Sequence, residues 1–536
     1  MFTVRSAYTR IILSCLLVIG LLVSIASPQT VRASTLTVDT LLDENDASCS
    51  DGDCALRDAI QVATASDTIS FSVTGTIFLT LGPLYVDKDL TISGPGPGSL
   101  TVDGNHNGGV FYVMGNTSFS GLTIANGAAE YGGGMFHLAG AATLTNVTFS
   151  DNISGGKGGG MYNYICPATL TNVTFSNNSA PDGGGMWNRG NTNLLNVTFS
   201  NNTATSGGGG GMFDEATATL TNVAFIGNSA PGNSGGGLFS YQDDPSNPIL
   251  NHVLFTNNTA GYTGGGMATA GGSPKLTNVT FSGNSAQYGG GIYMWGSNPT
   301  LTNVTLTNNS VSVYGGGIYN DPDSATKIKN TIIAGNTGGD WSCGGGTAVT
   351  SYGYNLIQDA SGCTITGDET GNIYGEDPLL GPLQDNGGAT FTHALLHGSP
   401  AVNAADDTDP DGNPVTEDQR GVTRPQGSAN DIGAYEAEAM HVQAVNLHLN
   451  GTRLIAMVAV YDQAGSPVAN ASVTGTVKGP NATHSFSYAT NFKGIARFSG
   501  PSKSGIWQLC VTDIVKDGYT YDPSQNVKTC AMIKIP

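Results

Sequence analysis

One phrase recurs along the chain: Leu-x-Asn-Val-x-Phe-x-x-Asn, then a glycine triplet, then Met or Ile and an aromatic residue. It is first complete in LTNVTFSDNISGGKGGGMYN, Leu144 to Asn163. Its leading position falls at Leu144, Leu170, Leu194, Leu220, Leu250, Leu276, Leu301 and Ile328, with spacings of 26, 24, 26, 30, 26, 25 and 27 residues. A shorter copy, Phe119-Ser-Gly-Leu122-Thr-Ile124, starts 25 residues upstream of Leu144. Periods of this length belong to solenoids or propellers, and a propeller blade needs about 40 residues or more. Val, Thr and Phe alternate between Gly and Asn breakers, without the 3.6-residue period of a helix. The fold class expected is all-β, each unit being one coil of a parallel β-helix. With 77 glycines in 536 residues and only 11 % charged side chains, the composition also demands frequent turns.

The parity of the phrase carries a second expectation. Val147 and Phe149 share a face under two-residue alternation, but Leu144 would fall on the opposite one. A bend at Thr145-Asn146 brings all three inward, and Asn tolerates the left-handed backbone such a bend needs. Stacked coils then align Asn146, Asn172, Asn196, Asn222, Asn278, Asn303 and Asn330 in a row, with His252 replacing one rung. A second row, Asn152, Asn178, Asn202, Asn228, Asn258, Asn284, Asn309 and Asn336, falls eight residues after each leading position. Many of these residues match N-x-[ST]. A rung buried in a stack is out of reach of a glycosylating enzyme, so ladders are expected rather than glycan acceptors. The glycine triplet lets the backbone turn sharply into the next strand. Burying Leu, Val and Phe against neighbouring coils contributes about 1.5–3 kcal/mol per side chain. Eight or nine coils at about 4.8 Å each make a rod of roughly 40 Å whose ends need covers.

The flanking segments read differently. Residues 1–33 carry Arg5 and Arg10 before an apolar run, Ile11 to Ala26, and end at Val31-Arg32-Ala33, the pattern of a cleaved export signal. At sixteen residues the run falls short of the roughly 20 of a membrane span. Removing it leaves 17 basic against 40 acidic residues, a surface that repels nucleic acid and anionic lipid. In an exported chain, Cys49 with Cys54, Cys343 with Cys363 and Cys510 with Cys530 read as local disulfides, and Cys166 as a buried thiol in a repeat. The N-terminal cover spans 34–100, with one short helix at Ala55 to Thr64 carrying Leu56, Ile60 and Ala63 at helical spacing. Repeats fill 101–340, and the end of the helix and its cap fill 341–440. In 441–536 alternating strands between turn signals indicate a small β-sandwich.

Three stretches resemble known groups. Cys54-Ala-Leu-Arg-Asp-Ala-Ile60 is similar to the CSLREA motif of exported bacterial β-helix proteins. DQRGVTRPQGSANDIGAYE, Asp418 to Glu436, resembles the C-terminal signature of choice-of-anchor Q proteins. The F-x-x-N and G-G-[GA]-[ILM] pairs resemble the repeats of chlamydial polymorphic outer membrane proteins. Together the resemblance covers about 34–437 and implies a right-handed, pectate-lyase-like β-helix, secreted or on the cell surface, with no reaction assigned to most of the group. The last segment resembles immunoglobulin-like modules of secreted bacterial proteins.

Chemistry has three candidate places. The residue after each Met or Ile gives Phe136, Tyr162, Trp187, Phe213, Phe239, Tyr293 and Tyr319, interrupted by Ala268. With the preceding residue inward these point out, forming an aromatic stripe suited to sugar rings or a ladder that only stabilises the coil. The stretch DTDPDGNPVTED places Asp407, Asp409, Asp411 and Asp418 at positions 1, 3, 5 and 12 of an approximate Ca²⁺ loop, although Pro410 and Pro414 interrupt it; a solvated acidic loop is the alternative. For catalysis, Asp182, Asp214, Glu215, Asp243, Asp244, Asp321 and Asp323 lie near the stripe at different offsets, and Arg189 is the sole arginine in the repeats; a loop from Tyr241 to Asn247 would border a groove. The reading these residues support best is a monomeric, non-catalytic protein that binds polysaccharide or another surface component. A polysaccharide lyase or glycosidase and a structural spacer are the alternatives.

Overall fold

The computed structural model describes residues 33–241 and 247–536. The expected export signal, Ala33 apart, and Asp243 and Asp244 therefore lie outside the described residues. The chain is almost entirely β, and its first part is a parallel solenoid. The coils contribute strands to three parallel sheets, of 23, 11 and 8 strands among the described residues. The alignment of the repeated phrase is also the strand register: Leu144 pairs with Leu170, Leu170 with Leu194, Leu194 with Leu220, and so on to Leu301 with Ile328.

The bend falls where parity requires it. Asn146, Asn172, Asn196, Asn222, His252, Asn278, Asn303 and Asn330 all have φ between 51 and 58°, so Leu, Val and Phe of every coil reach one dry interior. Phe149, Phe175, Phe199, Phe225, Phe255 and Phe281 stack there with centroids 4.6–4.9 Å apart, the spacing of neighbouring strands. The middle glycine of a triplet is required by space: a Cβ on Gly184 would lie 2.5 Å from Gly210 O and Thr203 O of the next coil.

Coils continue beyond the repeated phrase. Thr35–Val38, Thr68–Phe71 and Leu90–Ser93 already pair in parallel, and the last such strands are Thr364–Asp368 and Ile373–Tyr374. Eleven strands line one sheet where the repeats indicate eight or nine coils. The helix Leu56–Val62 buries Leu56, Ala59 and Ile60 in the solenoid core. Arg57, on its far side, grips the Asp43 carboxylate (2.8 and 3.1 Å) and the carbonyls of Gly82 and Pro83.

The segment after the solenoid lies along its coils as a strap. Asn278 donates to Glu417 O, Thr280 to Gln419 Oε1, and Lys329 pairs with Asp406 at 2.7 Å. A buried ion network holds the strap's own shape, with Arg420 on Asp418 and Arg424 on Glu436, each at 2.8 Å. Beyond it, two four-stranded sheets share one core that includes Val445, Val458, Val473 and Leu509.

The three expected disulfides are formed: Cys49 is bonded to Cys54, Cys343 to Cys363, and Cys510 to Cys530. Cys343 ends Trp341–Cys343, the edge strand of the eleven-stranded sheet, and Cys363 immediately precedes Thr364–Asp368. That bond ties the last coils of two sheets together at the end of the solenoid, where Cys343 N also donates to Gly362 O at 3.1 Å. Neither Cys343 nor Cys363 is fully buried; both pack against the margin of the solenoid core. Buried Cys166 reaches Leu138 O at 3.4 Å.

Candidate functional site

Met135, Met161, Met186, Met212 and Met267 are fully buried, so the residue after each lies on the outer face of the eleven-stranded sheet. The exposed aromatic stripe expected there is instead two unlike patches separated by Ala268. In the first, Tyr162, Trp187 and Phe213 are only 7, 1 and 8 % exposed, with Phe136 and Phe239 packed at the edges. Tyr162 stacks on Trp187 at 4.5 Å, and Lys157 Nζ sits 4.0 Å over the indole. Glu215 holds this cover in place from 3.6 Å to both Lys157 and Arg189. Burial above all pushes the Tyr162 hydroxyl up to about 12. These rings bury apolar area on the outside of the coil and offer little of it to a ligand.

The second patch is open. Tyr293 and Tyr319 stack with centroids 5.2 Å apart and planes 3° from parallel. Tyr288 meets Tyr319 edge-on at 5.6 Å and lies 5.7 Å from Tyr262 and 6.5 Å from Tyr314. Tyr262 and Tyr314 are 54 and 59 % exposed, and Trp295, two residues after Tyr293 in the same strand, is 57 % exposed. The Tyr293 hydroxyl donates to Asp321 Oδ2 at 3.3 Å, and burial together with that carboxylate raises its pKa. The register explains the cluster, since Tyr288 pairs with Tyr314 and Tyr293 with Tyr319 on successive coils. Of the cluster, sequence reasoning singled out Tyr293 and Tyr319 but missed Tyr262, Tyr288 and Tyr314. Their signal is a Tyr one or two positions before the glycine triplet in three consecutive repeats.

Among the described residues, the acids expected near the stripe do not converge. Asp182 accepts from Gly208 N, Glu215 is engaged by the two cations, Asp321 by Tyr293, and Asp214 points into the solenoid. The candidate Ca²⁺ loop is likewise dispersed. Asp409 Oδ1 accepts from the backbone of Asp411 and Asn413, Asp411 pairs with Lys275 at 2.8 Å, and Asp418 is buried against Arg420. Asp407 alone of the four has no place in these contacts. Among the described residues no group of three or more His, Cys, Asp or Glu side chains is arranged to hold a metal ion.

The two Asn rows also separate. The second is buried from Asn152 to Asn309 and half-buried at Asn336: each rung donates Nδ2 to the next Oδ1 at 2.9 Å, and Asp340 ends the row. The first row, at the bend, is exposed at Asn146, Asn172 and Asn196 and buried only at Asn278, Asn303 and Asn330, where the strap covers it. Burial therefore protects the second row from modification and not the first three rungs of the other.

A third polar row, unforeseen from the repeat, lies inside the solenoid. His137 Nδ1 donates to Asn163 Oδ1 (2.6 Å), Asn163 Nδ2 to Asn188 Oδ1 (2.8 Å) and Asn188 Nδ2 to Asp214 Oδ1 (2.7 Å), all four side chains fully buried. Burial pushes Asp214 up to about 7 and lowers His137. The folded chain thus keeps a proton that the unfolded chain releases near pH 4. Stability from this group is complete below about pH 4 and is lost as pH rises through about 7. Asp431, raised to about 8 by burial and then by Glu436, acts with the same sign. Asp214→Asn is expected to flatten the fall of Tm between pH 4 and pH 8, measured by thermal unfolding, and to leave Asp431's share.

Residues 278–294 and 303–321, two adjacent coils that carry Tyr288, Tyr293, Tyr314 and Tyr319, match the Chlamydia polymorphic membrane protein (Chlamydia_PMP) repeat. No curated protein and no solved structure matches the chain. No helix among the described residues is long and apolar enough to cross a membrane.

Proposed function

We propose that this is a non-catalytic protein of the cell surface or its surroundings that binds an extended, uncharged polysaccharide. The site is the open tyrosine platform of Tyr262, Tyr288, Tyr293, Tyr314 and Tyr319, with Trp295 beside it. The observation that carries this reading is the platform itself: five tyrosines on three consecutive coils, Tyr262 and Tyr314 exposed and Tyr288, Tyr293 and Tyr319 half-buried, beside the sealed rings of Tyr162, Trp187 and Phe213. Aromatic faces pack against the apolar faces of sugar rings, and phenolic hydroxyls with the Asp321 carboxylate meet sugar hydroxyls. Coils repeat at about 4.8 Å, so a chain laid along the axis meets the same groups step after step. Residues 33–440 hold 9 basic and 36 acidic side chains, a net −27, which disfavours an acidic glycan. Export and surface location rest on the resemblance of the repeats and on three disulfides, which persist in oxidising compartments.

A glycan array probed with the chain from Ser34 onward is expected to show retention on neutral polysaccharides and little on uronate-rich ones. Retention on none, or release of new reducing ends from any of them, contradicts the reading.

A further inference from the structure

The charge of the chain is divided. Against the net −27 of residues 33–440, residues 441–536 carry 8 basic and 4 acidic side chains, a net +4. Within this basic module the two sheets present four edge strands: Thr483–Ala489, Ile495–Pro501, Tyr519–Tyr521 and Cys530–Ile535. Natural sheets blunt their edges with charge, proline or brevity. Ile495–Pro501 carries Arg497 and Pro501, Tyr519–Tyr521 is three residues long, and Cys530–Ile535 carries Lys534 and a disulfide. Thr483–Ala489 has none of these devices over seven residues, and all but Phe486 are exposed.

This edge also has a cleft beside it. His484, Phe486 and Tyr488, alternate residues on one face of the strand, line a cavity of about 380 Å³ together with Phe498, Trp507 and Lys503. Phe498 stacks on Phe486 at 4.5 Å and on Tyr488 at 4.9 Å, which fixes an aromatic wall. Gly475 leaves room for Phe486, whose ring atoms lie 2.7 Å from where a Cβ would be. No carboxylate lines the cavity among the described residues. Lys503, which is exposed, is one of its lining residues, and exposed Lys478 is paired with Thr483 at the start of the edge strand.

We propose that Thr483–Ala489 takes up an extended acidic segment of a partner polypeptide as an added strand. Backbone bonds to the free edge supply the pairing, one large apolar side chain of the partner enters the cleft on the face of His484 and Phe486, and its alternating carboxylates fall on the opposite face, that of Lys478, within the field of the basic module. An extended peptide is favoured over a sugar because the free edge offers a row of backbone donors and acceptors that only another backbone fits. It is favoured over a second copy of the same edge because that pairing would bring like charges together.

The test uses the full chain and a short synthetic peptide that alternates aspartate with valine around one phenylalanine. Calorimetry is expected to show binding, and hydrogen exchange to slow at the amides of Thr483–Ala489. Lys478→Glu with Lys503→Glu, both exposed and outside the core, is expected to weaken binding by about tenfold or more. Several outcomes overturn the proposal. They are no binding, equal binding of the peptide N-methylated at alternate amides, preference for the lysine version, preference for an oligogalacturonate, and slowed exchange that appears with chain concentration alone.

Discussion

Asn228→Ala is expected to destabilise the solenoid by about 3–6 kcal/mol. Asn228 Oδ1 accepts from both Asn202 N and Asn202 Nδ2, and its own Nδ2 donates to Phe199 O and Asn258 Oδ1. Alanine leaves Asn202 N, one Nδ2 hydrogen and Phe199 O without those partners in a site water does not reach. Each buried polar group left unsatisfied costs about 1–3 kcal/mol. Because each coil is supported only by its neighbours, the loss is expected to open coils near the substitution before the ends. Denaturant unfolding with hydrogen exchange read coil by coil measures both effects. Asn196→Gly, in the exposed row, keeps the left-handed bend and forfeits only bonds that water replaces. It is expected to stay within about 1 kcal/mol of the parent. Equal losses at the two positions would mean that burial does not distinguish the rows.

Gly184→Ala is expected to cost more than about 3 kcal/mol or to prevent folding, since overpacking against backbone finds no relief in a rotamer change. The atoms in the way are Gly210 O and the Thr203 carbonyl of the adjoining coil, and moving them breaks the pairing that defines the stack. Gly296→Ala is the control. Gly296 has φ 54° but nothing within 4 Å of an added Cβ, so only the left-handed penalty of about 1–2 kcal/mol applies. Thermal unfolding of the two variants separates a requirement for space from one for conformation.

Much of this fold could be read from the chain because a solenoid makes the sequence its own alignment. Leu144, Leu170 and Leu194 occupy one column because every coil solves the same packing problem with the same residues. The outer coils escaped that reading. Around Ile69, Ile92 and Val102 the core positions persist, but the Asn bend and the glycine triplet that flag a coil do not. Exposure of the aromatic row was not legible either. Whether Trp187 or Tyr293 faces water depends on what lies over it: Lys157 covers Trp187 and is held by Glu215, which also pairs with Arg189, and the three come from different coils. The strap was hidden for the same reason. Its bonds to Asn278 and Thr280 join residues 139 apart in sequence, a distance no local pattern encodes.

Ligand is expected to meet the open tyrosine platform and not the sealed ring cluster beside it. Retention of a neutral polysaccharide by Tyr293→Ala/Tyr319→Ala and by Tyr162→Ala/Trp187→Ala, each measured with its Tm, tests this most directly. The first pair is expected to lose at least about tenfold in affinity, with a smaller change in Tm than the second pair shows. The second pair is expected to lower Tm, since large buried rings are removed, while retention of the folded chain is unchanged. Loss of retention in the second pair alone, with the first pair binding like the parent, would contradict it.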